Sequence, residues 1–179
     1  MRKRKTEYCG SRQDKRSSLV TKQSKRVKKK KIKVALGGTF EPLHEGHKKL
    51  IDIAVKLGGE NLTLGVTSDE MAKKRLRSVL PFEIRVKNVV SYVKKKYGFY
   101  PKVVKIKDIY GDAIKKNYDY IVVSPETYEA AILINKKRKE IGKNEIEIVK
   151  VDFVLAEDKK PISSTRIKNG EIDRYGKIL

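Results

Sequence analysis

Short apolar runs alternate along the chain with longer segments in which apolar residues recur every three or four positions. The short runs predict buried strands, and the longer segments predict helices. The predicted strands cover 34–36, with Ile32 just before them, and then 61–66, 102–107, 120–123 and 145–151. The predicted helices cover a segment that ends at 57, and then 69–74, 81–97, 109–117, 126–141 and 161–168.

This alternation predicts an α/β fold with one five-stranded parallel sheet and helices on both faces, a doubly wound arrangement. Crossovers between parallel strands are right-handed by default. If the strand order is 3-2-1-4-5, the winding direction reverses between the first and fourth strands. Ligands bind at such a reversal, beyond the carboxyl ends of the strands. We therefore expect the glycine loop at 37–38 and the segment 124–127 to face each other across a crevice.

The loop after the first strand begins with Gly37 and Gly38 and reaches the next helix through His44 and His47. Glycine lets the backbone approach a ligand closely, and the start of a helix attracts phosphate through its free N–H groups and its dipole. These two histidines are the only ones in the chain, and their spacing of three would place both on one side of a helical turn. A lone histidine is more often structural than functional. Two imidazoles at this junction predict a nucleotide phosphate site to which both rings donate hydrogen bonds.

Composition narrows the class of protein. A length of 179 residues with 39% hydrophobic residues predicts a single domain. No apolar run approaches the roughly 18 residues that a membrane span requires. The one cysteine, Cys9, excludes an internal disulfide, and no secretion signal is visible. We expect a soluble protein of the reducing cytoplasm, either a monomer or a small homo-oligomer.

The G-x-G-x-x-G and Gly-Lys-Ser/Thr motifs are absent, which argues against a dinucleotide dehydrogenase and an ordinary nucleoside triphosphatase.

The net charge of +22 is concentrated at the amino terminus. Residues 1–31 contain fourteen lysines and arginines against two acidic residues, a net charge of +12, which leaves +10 for residues 32–179. With so few apolar residues, this segment cannot offset the entropy of ordering, and we predict that it is a disordered extension of a domain at 32–179. The extension suits non-specific contact with RNA, DNA or acidic lipid, a targeting signal, or no function at all.

Five segments resemble those of one enzyme family. The segment 37–47, Gly-Gly-Thr-Phe-Glu-Pro-Leu-His-Glu-Gly-His, resembles the first motif of the nucleotidyltransferase superfamily that shares H-x-G-H. The segment 162–167, Ile-Ser-Ser-Thr-Arg-Ile, resembles its second motif. Within the superfamily, segments 64–70, 123–127 and 154–158 resemble the archaeal and eukaryotic phosphopantetheine adenylyltransferases. The resemblance covers nearly all of the chain after the basic extension.

The resemblance implies a Rossmann-like domain and an adenylyltransferase of coenzyme A biosynthesis. Such an enzyme transfers AMP from ATP to 4'-phosphopantetheine and gives dephospho-coenzyme A and pyrophosphate, with Mg²⁺ carried by ATP. No residue is expected to bind a metal ion directly. Near neutral pH a phosphate monoester is already an anionic nucleophile, so neither a protein base nor a covalent intermediate is needed. The enzyme then has to supply positioning and charge neutralisation.

The same resemblance implies roles for individual residues. His44 and His47 would contact the triphosphate around the reacting phosphorus, and Thr39 would orient the α-phosphate and the attacking phosphate. The hydroxyls that open the last helix suit the β- and γ-phosphates, with simple N-capping as the alternative. The further expected ligand contacts are Gly37, Gly38, Phe40, Ser163, Ser164, Thr165 and Arg166 on the nucleotide, and Glu126 and Thr127 on the acceptor or adenine side.

A lysine after the second strand would hold the phosphate of the acceptor. Lys73 is favoured over Lys74, and a solvated helix end is the alternative for either. Arg85 and Arg138 are further candidates, although an arginine on a helix surface is most often a solubilising or ion-paired group. Arg166 itself would either clamp phosphate or face solvent.

Other functions remain open at this stage. Archaeal nicotinamide mononucleotide adenylyltransferases usually have Arg-Phe-Gln-Pro in the first motif, where this chain has Thr-Phe-Glu-Pro at 39–42. Cytidylyltransferases usually reach the second motif through Arg-Thr-x-Gly, where this chain has Lys-Lys-Pro at 159–161. Either remains an alternative enzyme. The alternative outside the enzyme class is a nucleic-acid-binding protein that acts through residues 1–31.

Overall fold

A computed structural model describes residues 31–74 and 78–179, so the predicted extension lies outside the described residues except for Lys31. The elements in chain order are β1 (Val34–Gly38), α1 (Glu45–Gly58), β2 (Leu62–Thr67), α2 (Asp69–Lys73), α3 (Phe82–Tyr97), β3 (Lys102–Ile106), β4 (Tyr120–Val123), α4 (Tyr128–Glu140), β5 (Glu147–Lys150) and α5 (Ser164–Lys168). Single 3-10 turns at Gly59–Asn61 and Pro125–Thr127 precede β2 and α4. Within the described ranges, no helix combines the length and apolar character needed to cross a membrane.

The five strands form one parallel sheet, as predicted, and their order is β3-β2-β1-β4-β5, the order on which the expected crevice was based. The central strand β1 pairs with β2 on one side and β4 on the other, so that Leu36 lies opposite both Leu64 and Val122. The chain winds away from β1 in both directions, which gives the predicted α/β, Rossmann-like, doubly wound architecture. The carboxyl ends of β1 and β4 therefore lie side by side at the reversal.

Alternate residues of each strand feed two hydrophobic cores, because successive side chains in a strand point to opposite faces. On the face of α1 and α3, Val34 and Leu36 pack with residues of β2 and with Ile51 of α1. On the face of α4, Ala35 and Ile121 pack with Ile134. The sheet is thus buried on both faces, as a parallel sheet requires.

The predicted helix at 109–117 is wrong, because this segment is a series of turns. The Asp108 carboxylate accepts hydrogen bonds from the backbone N–H groups of Tyr110 and Gly111, at 2.8 and 2.9 Å. Gly111 has a φ of +54°, which is left-handed backbone. A side chain that bonds nearby N–H groups competes with helix formation, and a left-handed residue ends it. The turns leave this segment free to form the wall of a pocket described below.

Other expectations need smaller corrections. The predicted helix at 126–141 is divided into the 3-10 turn at Pro125–Thr127 and α4, because Ser124 and Thr127 form a reciprocal capping box. Ile141, the last residue of the predicted helix, lies after α4 and is 48% exposed. The fifth strand is shorter than predicted, beginning at Glu147.

Arg85 and Arg138 do not lie on helix surfaces. They are 0% and 2% exposed, the two largest side chains among those that are fully buried. Arg138 donates to the carbonyl oxygens of Ala113, Lys116 and Asn144, at 2.6, 2.7 and 2.7 Å. These acceptors end the turn segment and precede β5, so Arg138 joins two connections at the amino end of the sheet. Its role is structural.

We predict that Arg138→Met lowers the free energy of unfolding by about 3 kcal/mol, because it leaves several buried carbonyl oxygens without a donor. Urea denaturation measures the change. Lys139→Met, at an exposed position next to it on α4, is the matched control and should change stability by less than about 0.5 kcal/mol. A loss below about 1 kcal/mol for Arg138→Met would contradict the structural role.

Candidate active site

A cleft of about 190 Å³ opens beyond the carboxyl ends of β1 and β4, and we call it the histidine cleft. It is lined by the glycine loop, both histidines, the turn after β4, the segment after β5 and the start of α5. These residues include Gly37, Gly38, Thr39, His44, His47, Glu126, Thr127, Ser163, Ser164 and Thr165. The prediction that the glycine loop faces 124–127 is confirmed. The two motifs, more than a hundred residues apart in sequence, converge on this cleft.

An ion pair holds the two motifs together. Glu41, in the loop after β1, is largely buried, and its Oε2 atom lies 2.5 Å from the Nζ atom of Lys168 on α5. The same ammonium donates to the carbonyl oxygen of Ser78. Further along the first motif, the N–H of Glu45 donates to the carbonyl oxygen of Arg174 in the C-terminal segment. The width of the histidine cleft therefore depends on contacts made outside it.

His44 is both a helix cap and a cleft residue. It precedes α1, and its Nδ1 atom accepts a hydrogen bond from the N–H of Gly46 at 3.1 Å. Gly46 makes this geometry feasible, because a Cβ atom there would lie 2.9 Å from the His44 ring. Burial lowers the pKa of His44 to about 4, and Glu45 raises it while Lys48 lowers it further. The neutral ring accepts at Nδ1, so its proton lies on Nε2 and is available as a donor.

His47 stacks obliquely on His44, with ring centroids 3.9 Å apart and an interplanar angle of 34°. Burial lowers the pKa of His47 to about 3, His44 lowers it further, and the Pro42 carbonyl acts in the opposite direction. Its Nδ1 atom is buried and makes no hydrogen bond of ordinary geometry to the described residues. Both imidazoles are therefore neutral at physiological pH, and neither adds a positive charge to the cleft.

Thr39 lies at the crest of the glycine loop, where its Oγ1 atom accepts a hydrogen bond from the hydroxyl of Thr67 at 3.1 Å. Thr67 ends β2, the strand next to β1. Across the cleft, Ser163 caps α5, its Oγ atom accepting from the N–H of Arg166 at 3.3 Å. Ser163 therefore both caps α5 and lines the cleft.

A second cavity, of about 140 Å³ and lined mostly by apolar groups, lies beside the histidine cleft, and we call it the apolar pocket. Its walls come from the turn segment after β3 and from α4, and include Ile106, Ile109, Tyr110, Ala113, Tyr118, Ala131 and Ile134. Gly37, Gly38, Thr39 and Thr127 line both cavities. The two cavities therefore meet at the crest of the glycine loop.

Several predicted site residues lie away from both cavities. Phe40 is 1% exposed, with a φ of +55°, and its ring packs in the core beneath His47. Arg166 pairs with Asp158 and Glu171, at 2.6 and 2.9 Å, so contact with phosphate would require these pairs to open.

Lys73 and Lys74 are exposed at the end of α2 and line neither cavity. Their assignment to an acceptor phosphate stays a prediction. In the described ranges, 31–74 and 78–179, no three His, Cys, Asp or Glu side chains are grouped so that they could hold a metal ion.

Sequence reasoning missed the segment 151–154 as part of the histidine cleft and misjudged Arg85. Residues 151–153 carry no motif of their own, and the segment reaches the cleft because β5 pairs with β4. The sequence could have indicated the burial of Arg85, because this residue stands four and eight positions before Val89 and Val93. At that spacing it shares the inner face of α3 with them. A cation on the inner face of a helix has to be buried together with hydrogen-bond acceptors.

Residues 35–170 match the family described as "Cytidylyltransferase-like". A protein of Archaeoglobus fulgidus named "Phosphopantetheine adenylyltransferase" is 67% identical over 148 residues, covering 83% of this chain and 100% of that protein. A protein of Methanosarcina acetivorans with the same name is 46% identical over 153 residues, covering 82% and 95%. A crystal structure of a protein from Archaeoglobus fulgidus, described as of unknown function, superposes with a TM-score of 0.66 at 65% identity, covering 68% of this chain and 90% of that one.

We predict that neither histidine titrates near its ordinary pKa of 6.5. As the pH falls from about 6.5 to about 4, the unfolded chain binds protons that the folded chain does not. Stability therefore falls with pH, by up to about 1.4 kcal/mol per pH unit for each histidine. Because the chain has only two histidines, proton NMR can follow both imidazoles directly. A midpoint near 6.5 for either ring in the folded protein would contradict this.

Proposed function

The chain belongs to the phosphopantetheine adenylyltransferases, and we propose that its two adjoining cavities divide the two substrates of that reaction. The enzymes of this family transfer AMP from ATP to 4'-phosphopantetheine in coenzyme A biosynthesis. In the proposed arrangement the histidine cleft holds ATP, and the apolar pocket holds the pantetheine arm of the acceptor. The observation that carries the proposal is that both cavities open onto Thr39.

The polar lining of the histidine cleft supports its assignment to the triphosphate. Hydroxyls and backbone N–H groups are the usual protein partners of phosphate. We propose that Ser163, Ser164 and Thr165 contact the β- and γ-phosphates, and that Mg²⁺ enters with ATP as part of the substrate. On that substrate the ion would neutralise charge on the leaving pyrophosphate. Gly37 and Gly38 let the backbone approach the α-phosphate.

The neutral state of the histidines supports a role as hydrogen-bond donors. In the proposed step a phosphate oxygen of the acceptor attacks the α-phosphorus of ATP, one P–O bond forms, and the bond to the leaving pyrophosphate breaks. No proton has to be removed, because the attacking phosphate is already an anion. The Nε2–H of His44 and a donor on His47 would stabilise the charge that develops on the non-bridging and leaving oxygens. Fixed, partly buried donors need little reorganisation during the step.

The apolar pocket supports a long and largely uncharged acceptor. Its lining residues leave few partners for a small polar acceptor such as glycerol 3-phosphate, whereas the pantetheine arm combines apolar groups with amides. We propose that Glu126 and Thr127 border the acceptor or the adenine, and that Lys73 meets the acceptor phosphate. Dependence on ATP supports a cytoplasmic location.

A nucleotidyl-transfer assay tests this function and its alternatives. The protein is incubated with Mg²⁺, with ATP or CTP, and with 4'-phosphopantetheine, nicotinamide mononucleotide or glycerol 3-phosphate, and released pyrophosphate is measured. We expect release with ATP and 4'-phosphopantetheine, and equal turnover from a chain that lacks residues 1–31. Release only with CTP, or only with nicotinamide mononucleotide, would overturn the substrate assignment. Loss of turnover on removal of residues 1–31 would contradict the assignment of catalysis to the domain.

Histidine variants test the donor role. His47→Ala should lower kcat by about a hundredfold or more while the fold survives, because a preorganised donor typically contributes about 3 kcal/mol to lowering the barrier. His44→Asn keeps a good helix cap but does not reach the cleft, so kcat should fall without loss of stability. His44→Ala removes both the helix cap and the donor in the cleft. It should therefore lower kcat and also lower the free energy of unfolding by about 1 kcal/mol. Unchanged turnover in His47→Ala would leave that ring a structural role only.

A further inference from the structure

Arg85 makes an unusual set of contacts directly beneath the crest of the glycine loop. Its side chain is 0% exposed, and its Nη1 atom donates both to the carbonyl oxygen of Thr39 and to Oγ1 of Thr67, each at 3.2 Å. Its Nη2 atom donates to the carbonyl oxygen of Thr67 and to the carboxylate of Asp69, each at 2.8 Å. Its Nε atom donates to the carbonyl oxygen of Leu80 at 2.9 Å. A single guanidinium thus links α3 to the ends of β1 and β2.

These contacts fix the direction of the hydrogen bond between the two threonines. A guanidinium carries only donors, so Oγ1 of Thr67 has to accept from Arg85. Thr67 is 7% exposed, and among the described residues the acceptor bonded to its hydroxyl is Oγ1 of Thr39, at 3.1 Å. The proton of Thr67 therefore points to Thr39. Oγ1 of Thr39 then accepts, and its own proton has to point elsewhere.

Thr39 borders both cavities, so the free proton of its hydroxyl is directed to the point where they meet. We propose that Arg85 and Thr67 are positioning residues, which make the Thr39 hydroxyl a donor to a phosphate oxygen of the reacting substrates. This inference rests on the proposed function. We call these hydrogen bonds, from Arg85 to Thr67 and from Thr67 to Thr39, the relay. Without the donation from Arg85, the Thr39 hydroxyl could rotate to donate to Oγ1 of Thr67. It would then present only lone pairs to an anion, and these would repel the anion.

The location of the charge supports a role beyond packing. The partner carboxylate, Asp69, is 38% exposed, whereas the guanidinium is completely buried. The positive charge is therefore poorly screened on the side of Thr39 and Thr67, and it polarises their hydroxyls toward an incoming anion. A chain of hydrogen bonds that starts at a cation strengthens each later donor.

Substitutions at Thr67 test the relay without removing the guanidinium. Thr67→Val keeps the shape and the strand preference but removes the hydroxyl, whereas Thr67→Ser keeps the hydroxyl. Thr39→Val removes the donor itself, and the double variant Thr39→Val with Thr67→Val completes a double-mutant cycle. Thr63→Val is the same change on the same strand at an equally buried position. Because Thr63 also lines the apolar pocket, this variant controls only for stability in urea.

We expect Thr67→Val to lower kcat about tenfold, the cost of leaving the Thr39 hydroxyl without its orienting hydrogen bond, with a smaller change in the KM for ATP. Thr67→Ser should recover most of this loss. In the Thr39→Val background the Thr67→Val change should have no further effect, because its target is gone. Additive effects of the two changes, or equal turnover of Thr67→Val and Thr67→Ser, would overturn the relay and leave the proposed function intact.

Calorimetric binding of MgATP separates the relay from the proposed function. If the wild-type chain releases no pyrophosphate with ATP and 4'-phosphopantetheine, the proposed function fails. In that case the affinity for MgATP alone tests the relay. Binding of MgATP that is weaker in Thr67→Val than in Thr67→Ser would support it, and equal binding by the two variants would overturn it.

Discussion

The parallel pairing of β1 with a neighbour on each side is the constraint on which this site depends. Because the chain winds away from β1 in opposite directions, no crossover covers the carboxyl ends of β1 and β4. The loops that follow these strands are left to line a cleft. The ion pair between Glu41 and Lys168 then closes the third side by bringing α5 against the first motif. Strand order creates the opening, and an ion pair joins the two motifs beside it.

Electrostatics in the cleft depend on neutral groups more than on charges. Two stacked imidazoles with strongly lowered pKa values line the histidine cleft. The buried cation beneath the loop crest, Arg85, is linked to Oγ1 of Thr39 through the hydroxyl of Thr67. This arrangement suits a transfer between two anions, since fixed dipoles can stabilise developing charge without holding the product as tightly as an ammonium would.

The sequence predicted the parallel sheet, the two converging motifs and the facing loops, because each depends on local patterns or on general rules of sheet winding. It did not predict the turns at 109–117, where the Asp108 carboxylate captures the N–H groups that a helix would use. It also missed the burial of Arg85, whose partners come from three separate segments. A helical register can show that a side chain points inward, but only the packed structure shows what receives it.

The wall of the apolar pocket has a consequence for how such domains change specificity. The turns between β3 and β4 are held by side-chain bonds and by Arg138, whereas the residues proposed to meet phosphate stand on β1, α1 and α5. One connection can therefore be remodelled without disturbing the chemistry at the crest. In the proposed division of the two cavities, acceptor preference is modular, and a lineage could exchange it by altering a single crossover while keeping the same transfer reaction.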